Sequence, residues 1–423
     1  MARATKSRIA VIGLGFVGLT TALGFARKGF TVRGFDASKR VTRSLRAGKL
    51  RFHEPHLPEQ LRALAGNRFF IGTSLAQTVA DADVIFYCVG TPQLRSGAAD
   101  VSFLQRAVSD TLKALPPERT PTLVIKSTVP PGTTARRIRP LLARTGRTIG
   151  LDIGLANNPE FLREGAAWED FIEPDRVVIG ADDDLSFAAV ANLYEPFHSQ
   201  VCRVTLNTAE FIKSASNALL ATLISFANET SMVADAIGGI DVKAAFRALH
   251  LDRRWSGNPA KMISYLFPGC GFGGYCLPKD LAALLHTART AGVKADTLRG
   301  AFSTNDAIAR HFVGKIVHAT KPRTRIGILG LSFKPGSDDV RETPAARIIE
   351  LLLKRGRKNI VAYDPMANEP YRRAYQHRIQ YADRLAKAVK YAEVIVVLTA
   401  WPEFRAAKKQ FTGKPVFDGR YCL

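Results

Sequence analysis

No stretch of the sequence is apolar for as long as a membrane-spanning helix requires, and no two cysteines stand in a Cys-x-x-Cys spacing. The first absence excludes a helical membrane protein. The second counts against a zinc site or a disulfide framework, as do five cysteines (Cys88, Cys202, Cys270, Cys276 and Cys422), an odd number in a chain of 423 residues. No metal is expected. Acidic residues are scarce: 37 Asp and Glu face 60 Lys and Arg, a net charge of +23. The basic residues are scattered and no Lys/Arg block alternates with aromatics, so the charge reads as a solvated basic surface rather than a nucleic-acid footprint. Such a positive field also attracts anionic substrates such as nucleotides. Residues 1–6 are short and basic, without the apolar region of a signal peptide, which predicts a protein that stays in the cytoplasm.

What is present is a pattern of alternating elements. A chain of this length exceeds what one core usually holds, so two or three domains are expected. Residues 8–15 form a continuous apolar run of the kind found in buried parallel strands. A helical pattern over 17–28, ended by Gly29, follows, and a second strand over 31–35 finishes at Asp36. Further strands are predicted over 84–89 and 122–127, and strands alternating with helices imply a doubly wound α/β domain. The chain then echoes itself three times in the same order: 325–333 resembles 8–16, 361–364 resembles 33–36, and 394–402 resembles 84–92. Two related α/β domains are therefore predicted, one at each end. In the second copy Ser332 stands for Gly15 and Pro335 for Gly18, so it should bind something other than a dinucleotide in the same pose. Between them, residues 197–237 contain neither glycine nor proline, and Leu219, Leu220, Leu223, Ile224 and Ala227 recur at helical spacing. A long helix is predicted there, a spine and a dimer interface, ended by Gly238 and Gly239. The expected domains are 1–200, a helical middle region over 201–305, and 306–423.

Gly13-Leu-Gly-Phe-Val-Gly18 fits the Gly-x-Gly-x-x-Gly pattern, in which a tight turn brings backbone N–H groups and a helix N-terminus onto a pyrophosphate. It follows a strand, opens a helix, and has Asp36 at the end of the next strand, as the dinucleotide fingerprint requires. Asp36 would accept from a ribose hydroxyl and repel a 2′-phosphate, which favours NAD. Pro268-Gly-Cys-Gly-Phe-Gly-Gly-Tyr-Cys-Leu-Pro-Lys-Asp280 puts four glycines, a lysine and an aspartate around Cys276. Most cysteines of this kind are small core residues. A glycine-rich loop flanked by Lys279 and Asp280 is a poor place for core packing, so Cys276 is read as a nucleophile, with a nearby cation favouring thiolate. Lys213 and Asn217, four apart on the expected long helix, share a face and could stabilise an oxyanion. Spacing alone favours an ordinary solvated lysine there. Glu160 and Glu164, in a Pro/Gly-bounded segment, could do acid–base work or be surface charge. Thr128 ends a strand, a natural place for ligand contacts or for turn chemistry. Lys334 and Arg341 could bind phosphate or be loop charges.

With these pieces together, the chain resembles the UDP-glucose/GDP-mannose dehydrogenase family nearly end to end, most closely its UDP-glucose 6-dehydrogenase branch. The landmarks are Gly-Leu-Gly-Phe-Val-Gly-Leu-Thr-Thr from Gly13, Val-Gly-Thr-Pro from Val89, Lys-Ser-Thr-Val from Lys126, Asn-Pro-Glu-Phe-Leu-Arg-Glu-Gly from Asn158, Ala-Glu-Phe-Ile-Lys-Ser-Ala-Ser-Asn from Ala209, Gly-Phe-Gly-Gly-Tyr-Cys-Leu-Pro-Lys-Asp from Gly271, and Phe-Lys-Pro-Gly-Ser-Asp-Asp-Val-Arg from Phe333. The resemblance implies two Rossmann-like domains joined by a long central helix, with the active site beside that helix. It implies Cys276 as nucleophile, Lys213 and Asn217 as the oxyanion and water-positioning pair, and Asp280, Thr128 and Glu160 as partners of the hydrolytic water. Gly13, Gly15, Val17, Gly18, Asp36, Thr91, Thr128, Glu164, Lys279 and Arg341 resemble NAD contacts. Glu160, Phe161, Leu162, Arg163, Glu164, Lys213, Asn217, Tyr265, Gly269, Gly273 and Lys334 resemble contacts of the nucleotide sugar. Two departures stand out. Tyr275 precedes the cysteine where many relatives have serine, and residues 258–267 offer no arginine to reach a neighbouring subunit, Arg253 and Arg254 lying earlier.

The implied reaction is a four-electron oxidation of a sugar hydroxymethyl to a carboxylate through a thiohemiacetal and a thioester on Cys276, with UDP-glucose first and GDP-mannose or a UDP-N-acetylhexosamine behind it. A two-electron hydroxy-acid dehydrogenase would need neither Cys276 nor a second nucleotide domain. A non-enzymatic dinucleotide-binding protein would release no NADH. The expected partners are a nucleotide sugar and a second copy of the chain, without nucleic acid or membrane.

Overall fold

The computed structural model describes residues 7–251, 267–290 and 295–423. By contacts the chain divides into two units, Met1–Ser216 and Asn217–Leu423.

The first unit is built on eight strands: β1 Arg8–Ile12, β2 Thr31–Phe35, β3 Phe69–Ile71, β4 Val84–Tyr87, β5 Thr122–Ile125, β6 Gly154–Asn157, β7 Arg176–Ala181 and β8 Gln200–Val204. They lie in the order β3-β2-β1-β4-β5-β6-β7-β8. All neighbours are parallel except β6 and β7. The apolar runs predicted as strands are buried on both faces. Ile9 and Val11 of β1 and Val84 and Phe86 of β4 pack on one side; Ala10, Ile12, Ile85 and Tyr87 pack on the other. Chain order reverses between β1 and β4, so the crevice beyond their carboxyl ends is the place where such sheets bind ligands.

In the second unit, β9 Ile326–Leu329, β10 Ile360–Tyr363, β11 Gln380–Tyr381, β12 Val394–Val397 and β13 Val416–Asp418 form a fully parallel sheet in the order β11-β10-β9-β12-β13. This is the order of β3-β2-β1-β4-β5, so the three sequence echoes fall on equivalent strands: β1 and β9, β2 and β10, β4 and β12. The unit also holds the helices Cys276–Thr290 and Asp296–Ala319.

The long helix runs Leu206–Ile237. The stretch without glycine or proline begins earlier, but its first residues are not part of the helix: Glu195–Phe197 is a short 3-10 turn and Gln200–Val204 is β8, paired parallel with β7. A lack of glycine and proline permits a helix but does not demand one, and Val201 and Val204 favour the strand that completes the sheet. The apolar stripe is also redistributed. Small residues, Ala218, Ala221 and Ala227, form the buried face, while Leu219 is 52% exposed. β1 stops at Ile12, earlier than the apolar run suggests, because Gly13 turns at φ +91. Among the described residues, no helix is long and apolar enough to cross a membrane and no cluster of potential ligands could hold a metal ion.

Candidate active site

Three glycines do different work after β1. A Cβ on Gly13 would lie 2.8 Å from the Cys88 carbonyl oxygen, and one on Gly18 would lie 1.8 Å from the carbonyl oxygen of Gly13. A Cβ on Gly15 would meet nothing within 4 Å. The outer two glycines therefore let backbone close on backbone, while Gly15 borders open space. The helix Phe16–Arg27 starts there, with Gly15 as N-cap and no side-chain cap, so its first N–H groups are left to a ligand; Val17, half-buried, sits in that first turn. The Asp36 carboxylate braces the loop, accepting the N–H of Leu14 at 2.8 Å and of Ser38 at 2.8 Å. This cradle fits a dinucleotide pyrophosphate. The second copy differs where expected. Asp364, the counterpart of Asp36, accepts from Leu331 and Ser332 N–H, the Ser332 hydroxyl and Trp401 Nε1. Its carboxylate is consumed by the loop itself.

The loops after β4 and β5 are tied together: the Thr91 hydroxyl donates to the Thr128 carbonyl at 2.7 Å. The segment after β6 carries Glu160, buried and ion-paired with Lys213 at 2.9 Å; their side chains are 7% and 5% exposed. Glu160 also accepts the Leu162 N–H at 2.6 Å. Burial alone would raise its pKa, but the Lys213 ammonium, its hydrogen bond, the Leu162 N–H and Lys126 together hold the carboxyl below its ordinary value. Two cations approach the Phe161 ring, Arg176 at 4.2 Å and Lys213 at 5.6 Å from its centre. Arg163 instead turns to the surface and grips Asp170 with both Nε and Nη2. Glu164 is half-buried.

Sequence reasoning assigned no role to two residues that organise this unit. Lys126 is buried and donates to Asn158 Oδ1 at 2.9 Å and the Tyr194 hydroxyl at 3.3 Å. Burial brings its pKa down to about 8. Glu210, 2% exposed, accepts from the N–H groups of Gly132, Thr133 and Thr134 and from the Thr134 hydroxyl. It pins the loop after β5 onto the long helix one turn before Lys213. The available signal was the spacing of Glu210, Lys213 and Asn217, which places three polar side chains on one helix stripe.

In the second unit, Cys276 is exposed and opens the helix Cys276–Thr290. Lys279 and Asp280, in the first turn, are 7% and 3% exposed and ion-paired. The Asn217 amide donates to the Asp280 carboxylate. Asp280 is thus held from two sides, one turn from Cys276. The glycine-rich loop lies flat on the loop after β9: a Cβ on Gly273 would fall 2.2 Å from the Glu342 carbonyl oxygen, and the Gly274 N–H donates to the Arg341 carbonyl at 3.1 Å. Gly269 donates its N–H to Asn228 Oδ1 at 2.6 Å. Arg341 binds Asp339 in a two-pronged ion pair, and Lys334 lies 5.4 Å from the Phe333 ring centre. Tyr265, with Arg253 and Arg254, lies outside the described residues. A basic cavity of about 780 Å³, lined by Lys243, Arg405, Lys408, Lys409 and Lys414, contains none of the predicted site residues.

A glycine cradle with an acidic anchor in one unit, a degenerate copy of it in the other, and a helix-opening cysteine define a dinucleotide-dependent oxidoreductase acting on a nucleotide-bearing substrate. Residues 7–198 match the NAD binding domain of the UDP-glucose/GDP-mannose dehydrogenase family, 207–307 its central domain and 327–423 its UDP binding domain. The chain is 34% identical over 423 residues to the UDP-glucose 6-dehydrogenase AglM of Haloferax volcanii, covering 97% of this chain and 96% of that protein. It is 37% identical over 414 residues to the UDP-glucose 6-dehydrogenase of Pseudomonas aeruginosa, covering 94% of this chain and 88% of that one. Its structure matches that of a UDP-glucose dehydrogenase from Pyrobaculum islandicum with a TM-score of 0.92 at 35% identity, over 100% of this chain and 96% of the other. The chain belongs to the UDP-glucose/GDP-mannose dehydrogenase family. It is an NAD-dependent nucleotide-sugar 6-dehydrogenase.

Proposed function

We propose that the chain oxidises the C6 hydroxymethyl of UDP-glucose to the carboxylate of UDP-glucuronate, with Cys276 as covalent catalyst. The observation that carries this reading is Cys276 at a helix N-terminus, one turn from an Asp280 already held by Lys279 and Asn217. In this reading Gly13, Gly15, Val17, Gly18, Asp36, Thr91, Thr128, Glu164, Lys279 and Arg341 would hold NAD, which when bound supplies the hydride acceptor for two successive oxidations. The alcohol first loses a hydride and a proton to give the aldehyde. Cys276 Sγ adds to the aldehyde carbon, and Lys213 and Asn217 offer N–H groups to the oxygen that gains charge. The tetrahedral adduct can release a second hydride, which a bare aldehyde cannot do readily, and a thioester remains. Water, oriented by Asp280 with Thr128 and Glu160, attacks the thioester; Sγ leaves as thiolate and the carboxylate is freed. Phe161, Leu162, Arg163, Tyr265, Gly269, Gly273 and Lys334 hold the nucleotide sugar in this reading. The test is a panel of sugar nucleotides followed by NADH absorbance. UDP-glucose should give the highest kcat/KM and two NADH per sugar; one NADH per sugar, or a better GDP-mannose rate, overturns the respective part.

Asp36 should make the enzyme prefer NAD over NADP. Losing a charge-assisted hydrogen bond costs roughly 1.5–3 kcal/mol, so Asp36→Ala should raise the KM for NAD by about tenfold or more and narrow the preference. Equal kcat/KM for the two cofactors in the wild-type enzyme contradicts the assignment.

The long helix supports a homodimer in the same reading. Phe211 and Leu219, which fall on one side of the helix, are 53% and 52% exposed. Apolar surface of this kind calls for a partner, and twofold pairing is the commonest closed arrangement. Light scattering should give a dimer mass for the wild type and a lower mass for Leu219→Asp; a monomeric wild type rules the dimer out.

A further inference from the structure

Tyr275 is the residue immediately before the cysteine, and its half-buried ring is approached by two cations. The Arg341 guanidinium carbon lies 4.3 Å from the ring centre and the Lys279 ammonium 5.3 Å from it. Each cation also has its own carboxylate, Asp339 for Arg341 and Asp280 for Lys279. The ring is therefore not needed to neutralise either charge. What it supplies is a common flat, electron-rich surface that holds two mutually repelling cations at a fixed spacing. Backbone contacts support the same arrangement: the Gly274 N–H donates to the Arg341 carbonyl at 3.1 Å, so the chain next to Tyr275 and the chain that bears Arg341 are already joined.

We propose that Tyr275 is a positioning residue that sets cofactor affinity by fixing Arg341 and Lys279 beside the catalytic cysteine. The proposal rests on the reading that Arg341 and Lys279 contact NAD. A serine in its place has no ring face, and the Arg341 side chain, 52% exposed, would lose that surface. The cost should fall on cofactor binding. The nucleotide sugar does not depend on the pair, and the thiol remains in place.

The test is a set of variants of the full-length enzyme, with KM for NAD, KM for UDP-glucose and kcat measured separately. Tyr275→Leu, which keeps apolar bulk without a π face, should raise the KM for NAD by about three- to tenfold, the range expected for one or two cation–π contacts. Tyr275→Phe should keep the wild-type KM for NAD, since the ring alone is required. The KM for UDP-glucose should move less than twofold, about the scatter of such measurements, in either variant. In a cycle with Arg341→Ala, the double variant should fall clearly short of the sum of the two single effects, because part of the ring's effect runs through the arginine. If Arg341→Ala leaves the KM for NAD at the wild-type value, the cofactor reading itself is wrong. If Arg341→Ala raises that KM while Tyr275→Leu does not, or if the two effects are simply additive, the cofactor reading stands and the role given to Tyr275 falls.

Discussion

The Cys276→Ala variant is expected to fold, to bind NAD and the nucleotide sugar, and to produce no uronate above a level about 10³-fold below wild type. The physical basis is the division of labour at the start of the helix Cys276–Thr290. The cysteine side chain is exposed, so truncating it removes little packing, and surface substitutions of this kind usually change stability by within about 0.5 kcal/mol. The dinucleotide cradle lies in the other unit and is untouched. What disappears is the proposed nucleophile, and loss of such a group in covalent enzymes costs several orders of magnitude in turnover. The variant should still reduce supplied aldehyde with NADH, because that step needs no thiol. Cys276→Ser should fail almost as completely, since a hydroxyl is far less ionised at neutral pH. A thiol alkylator should inactivate the wild type and be slowed by bound substrate. The measurement is NADH per sugar in Cys276→Ala at saturating NAD and UDP-glucose. Two NADH per sugar at a near-wild-type rate would remove the thiol from the mechanism altogether.

The parts of the molecule legible in the sequence are those where backbone geometry restricts the residue. Gly13, Gly15 and Gly18 are readable because a Cβ at the outer two positions would strike backbone. The strands predicted in each sheet are readable because parallel strands covered on two faces are apolar throughout, and the repeated strand order explains why the echoes at residues 325, 361 and 394 appear in series. Long-range polar pairing is another matter. Asn217 and Asp280 are 63 positions apart, and nothing local marks them as partners. Lys213 illustrates the difficulty: helix spacing favours a solvated lysine, yet it is 4% exposed and faces Glu160. A buried charge is tolerated only when tertiary structure supplies its counter-charge, so the deciding information lies in another segment. Lys126 and Glu210 escaped for the same reason. β8 was missed because this exposed edge strand carries too polar a pattern to stand out.

Replacing Lys213 by methionine should therefore damage the protein in two separable ways. Removing one partner of a buried ion pair leaves the other charge uncompensated and costs about 3–5 kcal/mol. The transition of the unit that contains both residues should fall by roughly 10 °C. Turnover should fall by about 10²–10³-fold, the usual loss for one donor to a developing oxyanion. Acidity distinguishes the two effects. In the wild-type protein the Glu160 carboxyl is held below its ordinary value, so its ionisation contributes stability above the usual carboxylate range, and that contribution is lost as pH falls through the folded value. Without Lys213 the balance reverses: burial dominates, the Glu160 pKa rises above the unfolded value, and ionising it now opposes folding. The stability deficit of Lys213→Met should accordingly be smallest near pH 4 and widen through about pH 5–7, the window above an unfolded glutamate's pKa of about 4.3. Adding Glu160→Gln removes the stranded charge and should recover most of the melting temperature, yet none of the turnover. Thermal melts of the single and double variants across this pH range, read beside kcat, decide the matter. A deficit independent of pH would mean that Lys213 contributes packing rather than charge. Recovery of activity in the double variant would mean that neither residue takes part in the chemistry.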